Sequence, residues 1–298
     1  MRALIPLLFA TAFSIPASAA DLPVDLELAL AVDVSRSVDD EEAALQRRGY
    51  IEAFRHPSII DAIRAGPLGR IAVTYYEWAG YTRIRPVVPW TVISDAASAE
   101  RFAKALESDE PDQGRRTSIS GAIDYGVAAF ENNGAKGKRR VIDVSGDGAN
   151  NSGEQVDIAR DRAVTAGITI NGLPIVNGRE TMSGWKQVDD LDLFYRDCVI
   201  GGPGAFYVVA RDFKDFPRAV MRKLILEISG LTPPPDIRPE RKLLWKAQLR
   251  APRKAPPCNI GEIRRRQRWM GSDDSYDDDS VIPPPPEAMP PPPGAIRP

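Results

Sequence analysis

The chain has 298 residues, of which 43% are hydrophobic and 27% are charged, and its formal net charge is −2. This length and apolar content suffice for a sizeable core, and the near-neutral charge gives no general attraction to nucleic acid. The single histidine excludes histidine-rich zinc sites, and the 2 cysteines exclude a zinc finger or a disulfide-dense scaffold. Any metal chemistry would therefore depend on oxygen ligands.

The first 20 residues have the layout of a cleaved secretory signal. Arg2 precedes an apolar run of about 12 residues, which is followed by Ala17-Ser18-Ala19-Ala20. The apolar run is too short for a good membrane span, and no later stretch is long enough. We therefore expect residues 1–20 to be a signal peptide, with a buried N-terminal helix as the alternative. The remaining protein is expected to be periplasmic or secreted, with no transmembrane segment.

Strand and helix patterns alternate after this segment and indicate an α/β domain. The predicted strands are 24–34, 70–78, 83–92, 139–145, 168–175 and 205–210. The predicted helices are 39–55, 95–107, 118–131, 153–166, 212–229 and, as a helix or turn, 186–198. Prolines confine the strand at 83–92 to a sheet edge. We expect a three-layer, doubly wound domain over residues 21–231, with a mainly parallel sheet between helices.

Residues 232–298 have a different composition and hold 16 of the 27 prolines. Residues 238–268 contain 11 Lys or Arg against 2 acidic residues, whereas residues 273–287 contain 5 Asp and 1 Glu and no basic residue. Such a tail is predicted to be mostly extended or disordered, because it buries too little apolar surface to offset its ordering entropy. The acidic block is an obvious internal partner for the basic block, which argues against nucleic acid binding.

The two cysteines, Cys198 and Cys258, would share an oxidising compartment after export. A disulfide between them would tie the tail to the domain. Two separate thiols, or an intermolecular bond through Cys258, remain alternatives.

Three loops at predicted strand ends carry oxygen-bearing side chains. Asp33, Ser35 and Ser37 alternate after the first strand, so their side chains can converge on one point. Thr117 lies at the start of a predicted helix, and Asp147 follows a predicted strand. The alternatives are helix N-caps for the hydroxyl residues and an ordinary turn for Asp147.

A set of two carboxylates and three hydroxyls suits a hard divalent cation. We expect Mg²⁺, with Mn²⁺ or Ca²⁺ as alternatives. Because hydroxyls are weak neutral ligands, such a site would hold the ion loosely and leave it able to accept one more carboxylate. Asp143 lies inside an apolar strand and is either a sheet-face residue or a hydrogen-bond acceptor behind the metal ligands.

The order of these motifs resembles the metal-ion-dependent adhesion site of von Willebrand factor A domains. The segments RRVIDVSGDGANNSG and CVIGGPGAF resemble a secreted bacterial group within that superfamily, domain of unknown function 1194. The resemblance covers about residues 24–230 and implies a doubly wound α/β fold with the metal at the top of the sheet. The third loop reads Ser-Gly-Asp-Gly instead of the usual Thr-Asp-Gly, which leaves its conformation open.

The resemblance also implies the role of each ligand. Ser35, Ser37 and Thr117 would coordinate the metal directly or nearly so. Asp33 and Asp147 would act directly or through water, and an Asp or Glu of a protein partner would supply the sixth ligand.

These features predict a metal-dependent binding module and not an enzyme. One alternative is a hydrolase or phosphatase that uses the same ion as a Lewis acid. The sequence offers it no good general base, because the single histidine, His56, precedes Pro57 and is interpreted as a surface or helix-terminal residue. Another alternative is a scaffold that acts through its proline-rich tail. The sequence does not indicate an oligomeric state.

Overall fold

The protein is described by a computed structural model over residues 21–178, 186–232 and 253–271. The strands in these residues are β1 (Leu22–Val24), β2 (Glu27–Asp33), β3 (Ile71–Trp78), β4 (Ile84–Ile93), β5 (Ala135–Gly137), β6 (Arg140–Gly146) and β7 (Thr169–Pro174). The main sheet has the order β4-β3-β2-β6-β7, in which only β4 is antiparallel to its neighbour. Strands β1 and β5 pair in parallel as a separate small sheet.

Helices cover both faces of the main sheet. One face carries α1 (Asp40–Arg55), α2 (Pro57–Arg64), α3 (Ala96–Glu107) and α7 (Phe216–Ser229). The other carries α4 (Ile119–Ala129), α5 (Val156–Thr165), α6 (Leu191–Phe194) and the π-helical turn Tyr195–Val199. The predicted three-layer α/β architecture is thus confirmed.

The central strand β2 shows why the sequence adopts this arrangement. Every residue of β2 is buried, and its side chains alternate between the two faces. Leu28 and Leu30 pack towards α1 and α7, whereas Ala29 and Ala31 pack towards α4. A strand that is buried on both faces is expected to be almost wholly apolar, as this one is.

The sequence-based prediction differs from the structure in several parts. Strand β5 was not predicted, and the strand expected over 24–34 is divided between β1 and β2. Residues 205–210 do not form a strand and only follow β7 through isolated bridges at Tyr207 and Ala210. A helix that the periodicity did not indicate, α2, has His56 at its N-cap, where the imidazole Nδ1 accepts from the Ser58 amide at 3.2 Å. The tail, predicted as mostly extended or disordered, contains the helix α8 (Ile260–Gly271). Residues 1–20, 233–252 and 272–298 lie outside the described residues, so the predictions made for them stay predictions.

Among the described residues, no helix combines the length and the apolarity needed to cross a bilayer.

A buried ionic cluster joins α7 to the sheet. Lys223 Nζ lies 2.5 Å from Asp143 Oδ1 of β6, and it also pairs with Glu227 one helical turn later. Asn171 Nδ2 of β7 donates to Glu227 Oε1 at 2.8 Å. The side chains of Lys223, Asp143 and Glu227 are at most 1% exposed. Asp143, whose role the sequence left open, is therefore an ion-pair partner of the last domain helix.

Replacing the lysine of this cluster tests its contribution to stability. We expect Lys223→Ala to lower the free energy of unfolding by about 3–5 kcal/mol, because it leaves two buried carboxylates without their cation. The matched control is Arg222→Ala on the exposed side of α7, which should change it by less than about 0.5 kcal/mol. Urea unfolding at neutral pH measures both values, and equal losses in the two variants would contradict the assignment.

The same cluster predicts a pH dependence. Burial raises the pKa of Glu227 to about 7, with a further increase from the charge of Asp143 and a partial decrease from Lys223. A carboxyl with a raised pKa in the folded protein contributes stability at low pH, which is lost as pH rises through the folded pKa. Relative to Glu227→Gln, the wild type should therefore lose stability between pH 5 and pH 8. Urea unfolding across this range checks it, and a pH-independent difference would contradict it.

Candidate metal centre

The two predicted carboxylate ligands lie at the same edge of the sheet. Strands β2 and β6 are parallel neighbours, with Val32 opposite Ser145, so their carboxyl ends reach this edge together. Asp33 is the last residue of β2, and Asp147 directly follows β6. Both side chains are buried, with residue exposures of 0% and 5%. We call this edge, with the loops that follow it, the metal pole.

Three hydroxyl groups lie at the same place. Ser37 Oγ donates to Asp147 Oδ1 at 2.6 Å and lies 3.0 Å from Ser35 Oγ. Thr117 Oγ1 lies 3.5 Å from Ser35 Oγ, at the limit of a hydrogen bond. The Ser35 amide donates to Asp33 Oδ1 at 2.7 Å, which fixes that carboxylate. The structure thus brings all five residues that the sequence singled out into one cluster.

Helix capping does not account for these hydroxyls. The N-cap of α1 is Asp39, whose side chain accepts from the Glu42 amide at 2.9 Å. The N-cap of α4 is Ser118, whose hydroxyl accepts from the Gly121 amide at 3.1 Å. The capping alternative is therefore wrong for Ser37 and Thr117, and their side chains face the cluster instead.

The electrostatics of the cluster favour a cation. Burial raises the pKa of Asp33 well above its ordinary value, and the nearby charge of Asp147 raises it further. Burial also raises the pKa of Asp147 to about 6, against the lowering effect of the Ser37 hydrogen bond. Asp33 Oδ2 is buried and accepts no hydrogen bond within the described part of the chain. Two buried carboxylates, one with an unpartnered oxygen, are the arrangement that a divalent cation would stabilise.

The oxygen donors of the cluster also indicate which kind of cation would suit it, namely a hard ion. Within residues 21–178, 186–232 and 253–271, no group of three or more His, Cys, Asp or Glu side chains could hold a metal. A two-carboxylate, three-hydroxyl set has no soft ligand and suits a hard ion that keeps water or accepts an outside oxygen.

Several side chains that sequence reasoning missed hold the loops of the centre. Gln187 Nε2 donates to the carbonyl oxygens of Asp147 and Ile175 at 2.8 and 2.7 Å. Asn151 Oδ1 accepts from the Thr117 amide at 2.9 Å, and the Asn151 amide donates back to the Thr117 carbonyl at 2.8 Å. The paired asparagines after Asp147 are a visible signal, whereas nothing near Gln187 in the sequence points to the site.

Close packing behind the carboxylates depends on Gly146. A Cβ at this position would lie 2.9 Å from Asp33 Oδ2 and 3.0 Å from Tyr195 Oη. The third loop can therefore approach Asp33 only because residue 146 has no side chain. Tyr195, which the sequence did not single out, is thus the side chain behind the carboxylate pair.

A segment of the tail packs against the third loop of the centre. A disulfide joins Cys198 in the π-helical turn to Cys258, just before α8. Asn150 Nδ2 donates to Glu262 Oε1 at 2.7 Å, and Arg265 Nη1 donates to the Asn151 carbonyl at 3.0 Å. Of the alternatives that the sequence left open for the cysteines, the structure contains the intramolecular bond.

The backbone of α8 lies directly on this loop. A Cβ at Gly261 would lie 2.0 Å from the Asn150 carbonyl oxygen, so a larger residue could not be accommodated without displacing the helix or the loop. Upstream, Arg253 Nη2 donates to Asp192 Oδ2 at 2.7 Å and fixes the segment that leads to Cys258.

Comparison with protein families identifies one family to which the chain belongs. A family model with the description "Protein of unknown function (DUF1194)" matches residues 23–232. The chain belongs to this family. The comparison with curated proteins found no match.

Solved structures show the same fold at low sequence identity. Pilus adhesin SpaC from Lactobacillus rhamnosus GG is 14% identical over 70% of this chain and 31% of its own, with a TM-score of 0.52. Proximal thread matrix protein 1 from the mussel byssus is 12% identical over 71% of this chain and 50% of its own, with a TM-score of 0.51. Another structure of the mussel protein, 13% identical over 68% of this chain and 45% of its own, has a zinc-occupied MIDAS motif and a TM-score of 0.46.

A von Willebrand factor type A protein from Catenulispora acidiphila is 13% identical over 69% of this chain and 42% of its own, with a TM-score of 0.46. The chain spans half or less of the length of each of these proteins. The pilus adhesin and the mussel thread protein, whose TM-scores are 0.52 and 0.51, share the three-layer α/β fold of this chain. The matched family region ends at residue 232, so α8 lies outside it.

The disulfide is expected to slow the local opening of α8. A crosslink across 60 residues contributes on the order of 4 kcal/mol in the chain-entropy model. In the double variant Cys198→Ser and Cys258→Ser, we therefore expect faster amide hydrogen exchange in residues 260–268. Exchange in α3, which packs on the face of the sheet opposite to Cys198, Cys258 and Ile260, is the internal control. Unchanged protection of α8 would show that its noncovalent contacts suffice.

Proposed function

We propose that this protein is a binding module that uses a divalent cation at the metal pole to engage an acidic residue of a protein partner. One observation carries the proposal: two buried carboxylates lie together with three hydroxyls, and Asp33 Oδ2 has no hydrogen-bond partner among the described residues. A divalent cation would stabilise this arrangement, and its remaining positions would face outward from the sheet edge.

Each residue of the centre has a definite role in this proposal. Asp33 and Asp147 supply the negative charge, and Ser35, Ser37 and Thr117 supply neutral oxygens. A bound Mg²⁺ would supply an electrophilic position that accepts a carboxylate oxygen from outside. Gln187 and Asn151 hold the loop backbones, so the chain needs little rearrangement when a ligand arrives.

The position of the histidine supports binding over hydrolysis. His56, the single histidine of the chain, caps α2 directly after the end of α1. Because α1 has 16 residues and begins beside the metal pole, His56 lies roughly 24 Å away along the helix. A hydrolytic mechanism at the centre would therefore lack the usual general base.

Two features support a location outside the cytoplasm. The first 20 residues have the layout of an export signal. The disulfide between Cys198 and Cys258 fits an oxidising compartment. We therefore propose that the module acts in the periplasm or outside the cell.

Metal titration tests the proposed function. In calorimetry with Mg²⁺ or Mn²⁺, we expect saturable binding to the full chain. Asp147→Asn should weaken it by about tenfold or more, because it removes one of two charged ligands. The matched control is Asp61→Asn, an exposed carboxylate on α2 that should leave the affinity unchanged.

Equal affinity in the wild type and Asp147→Asn would contradict the assignment of the centre. Turnover of phosphoester or ester substrates that is lost in Asp33→Ala would favour the hydrolase alternative.

A further inference from the structure

Helix α8 lies outside the family region and adds side chains to the surface around the metal pole. Its first turn is bound to Asn150, and Arg265 in its second turn is bound to Asn151. Asn151 in turn exchanges two hydrogen bonds with Thr117, one of the proposed ligands. Asn151 is therefore the one residue that links the guanidinium of Arg265 to the proposed ligand Thr117 through hydrogen bonds.

Three arginines lie in or next to the loops and the helix of the metal pole. Arg36 is exposed and stands between Ser35 and Ser37, and Arg116 directly precedes Thr117. Arg265 Nη1 donates to the Asn151 carbonyl, and Asn151 is hydrogen-bonded to Thr117, the residue that follows Arg116. We call Arg36, Arg116 and Arg265 the basic rim.

Acidic residues begin the helix that follows the first loop of the metal pole. Helix α1 starts there with Asp40 and Glu41, after its N-cap Asp39. Both signs of charge therefore surround the metal pole, and an acidic ligand would be attracted to the arginines of the basic rim.

We propose that the basic rim and the metal centre together bind the acidic segment 273–279 of the same chain. This inference rests on the proposed function, because the metal centre is taken to accept a carboxylate. The segment reads DDSYDDD, and it begins two residues after the end of α8. Its charge is complementary to the basic rim, and its attachment to α8 keeps it beside the metal pole.

The lengths of helix and chain allow this contact. Arg265 precedes Gly271, the last residue of α8, by six residues, which is about 9 Å of helix. Asp279 lies eight residues beyond Gly271, and an extended chain of that length spans up to about 28 Å. The acidic segment can therefore turn back and reach past Arg265 to the metal centre.

Attachment also gives the segment an advantage over a separate partner. A short connection to a neighbouring site corresponds to an effective concentration in the millimolar range. A partner with a single acidic residue would have to compete against this internal ligand. The segment would thereby make the metal pole selective for partners that bind more tightly than one carboxylate can.

The test compares two full-length proteins. One is the wild type, and the other carries Asp273→Asn, Asp274→Asn, Asp277→Asn, Asp278→Asn and Asp279→Asn, termed the five-site variant. The probe is a labelled synthetic peptide with the sequence of residues 272–280. In Mg²⁺, we expect the five-site variant to bind this peptide at least about tenfold more tightly than the wild type, because its own segment no longer competes.

Further substitutions in the five-site variant test the basic rim. Arg265→Gln should weaken peptide binding several-fold, whereas Lys136→Ala should not. Lys136 is exposed on β5, which pairs with the strand that precedes β2 and so lies at the opposite edge of the sheet. Peptide binding should be lost in chelator. Binding that survives in chelator, or that Lys136→Ala weakens as much as Arg265→Gln, would overturn the proposed surface.

A parallel Mn²⁺ titration separates this inference from the proposed function. If both proteins bind Mn²⁺ but have equal peptide affinity, the inference is overturned and the proposed function stands. If neither binds Mn²⁺, both fail. Concentration-dependent self-association of the wild type that is lost in the five-site variant would show binding between copies, and would overturn the intramolecular contact.

Discussion

The structure of the metal pole depends on one constraint, the parallel pairing of β2 with β6. This pairing brings the ends of two strands that are more than 100 residues apart in sequence to the same edge of the sheet. Asp33 ends β2 and Asp147 follows β6, and both side chains are buried at this edge. Two like charges in a buried site are unfavourable unless a cation or a proton accompanies them.

The fold contains two buried pairs of carboxylates, and the groups that accompany them differ. Beneath α7, Asp143 and Glu227 also lie close together, and Lys223 from the same helix stands between them. At the metal pole, Asp33 and Asp147 are accompanied by hydroxyl groups, and neither forms an ion pair with a described lysine or arginine. Among the described residues, the carboxylate pair beneath α7 thus has an internal lysine and the pair at the metal pole has none, which is the difference that the proposed cation would compensate.

The sequence predicted the residues of the metal pole, but it did not predict the side chains that hold the surrounding loops and helices in place. The proposed metal ligands occupy strand ends and helix starts, and local periodicity locates both. Asp33, Thr117 and Asp147 could therefore be placed at one edge of the sheet. The pairing of Lys223 with Asp143 and the contact of Gln187 with Asp147 arise from tertiary packing between distant segments, which local patterns do not encode. Helix α8 was missed because its charges, and the prolines before and after it in the chain, resemble a disordered tail. Its contact with the domain includes a disulfide and a hydrogen bond to Asn150.

Charge neutrality explains why the basic rim matters to a metal centre of this kind. Two carboxylates balance one divalent cation, so the first carboxylate from a ligand already gives the centre a net negative charge. A second acidic residue would be repelled in that position unless positive charge lay beside it. Arg36, Arg116 and Arg265 supply such charge, and α8 brings the last of them to the metal pole from a part of the chain outside the family region. In the proposed binding surface, the disulfide would thereby help to hold a residue of the tail beside the metal pole.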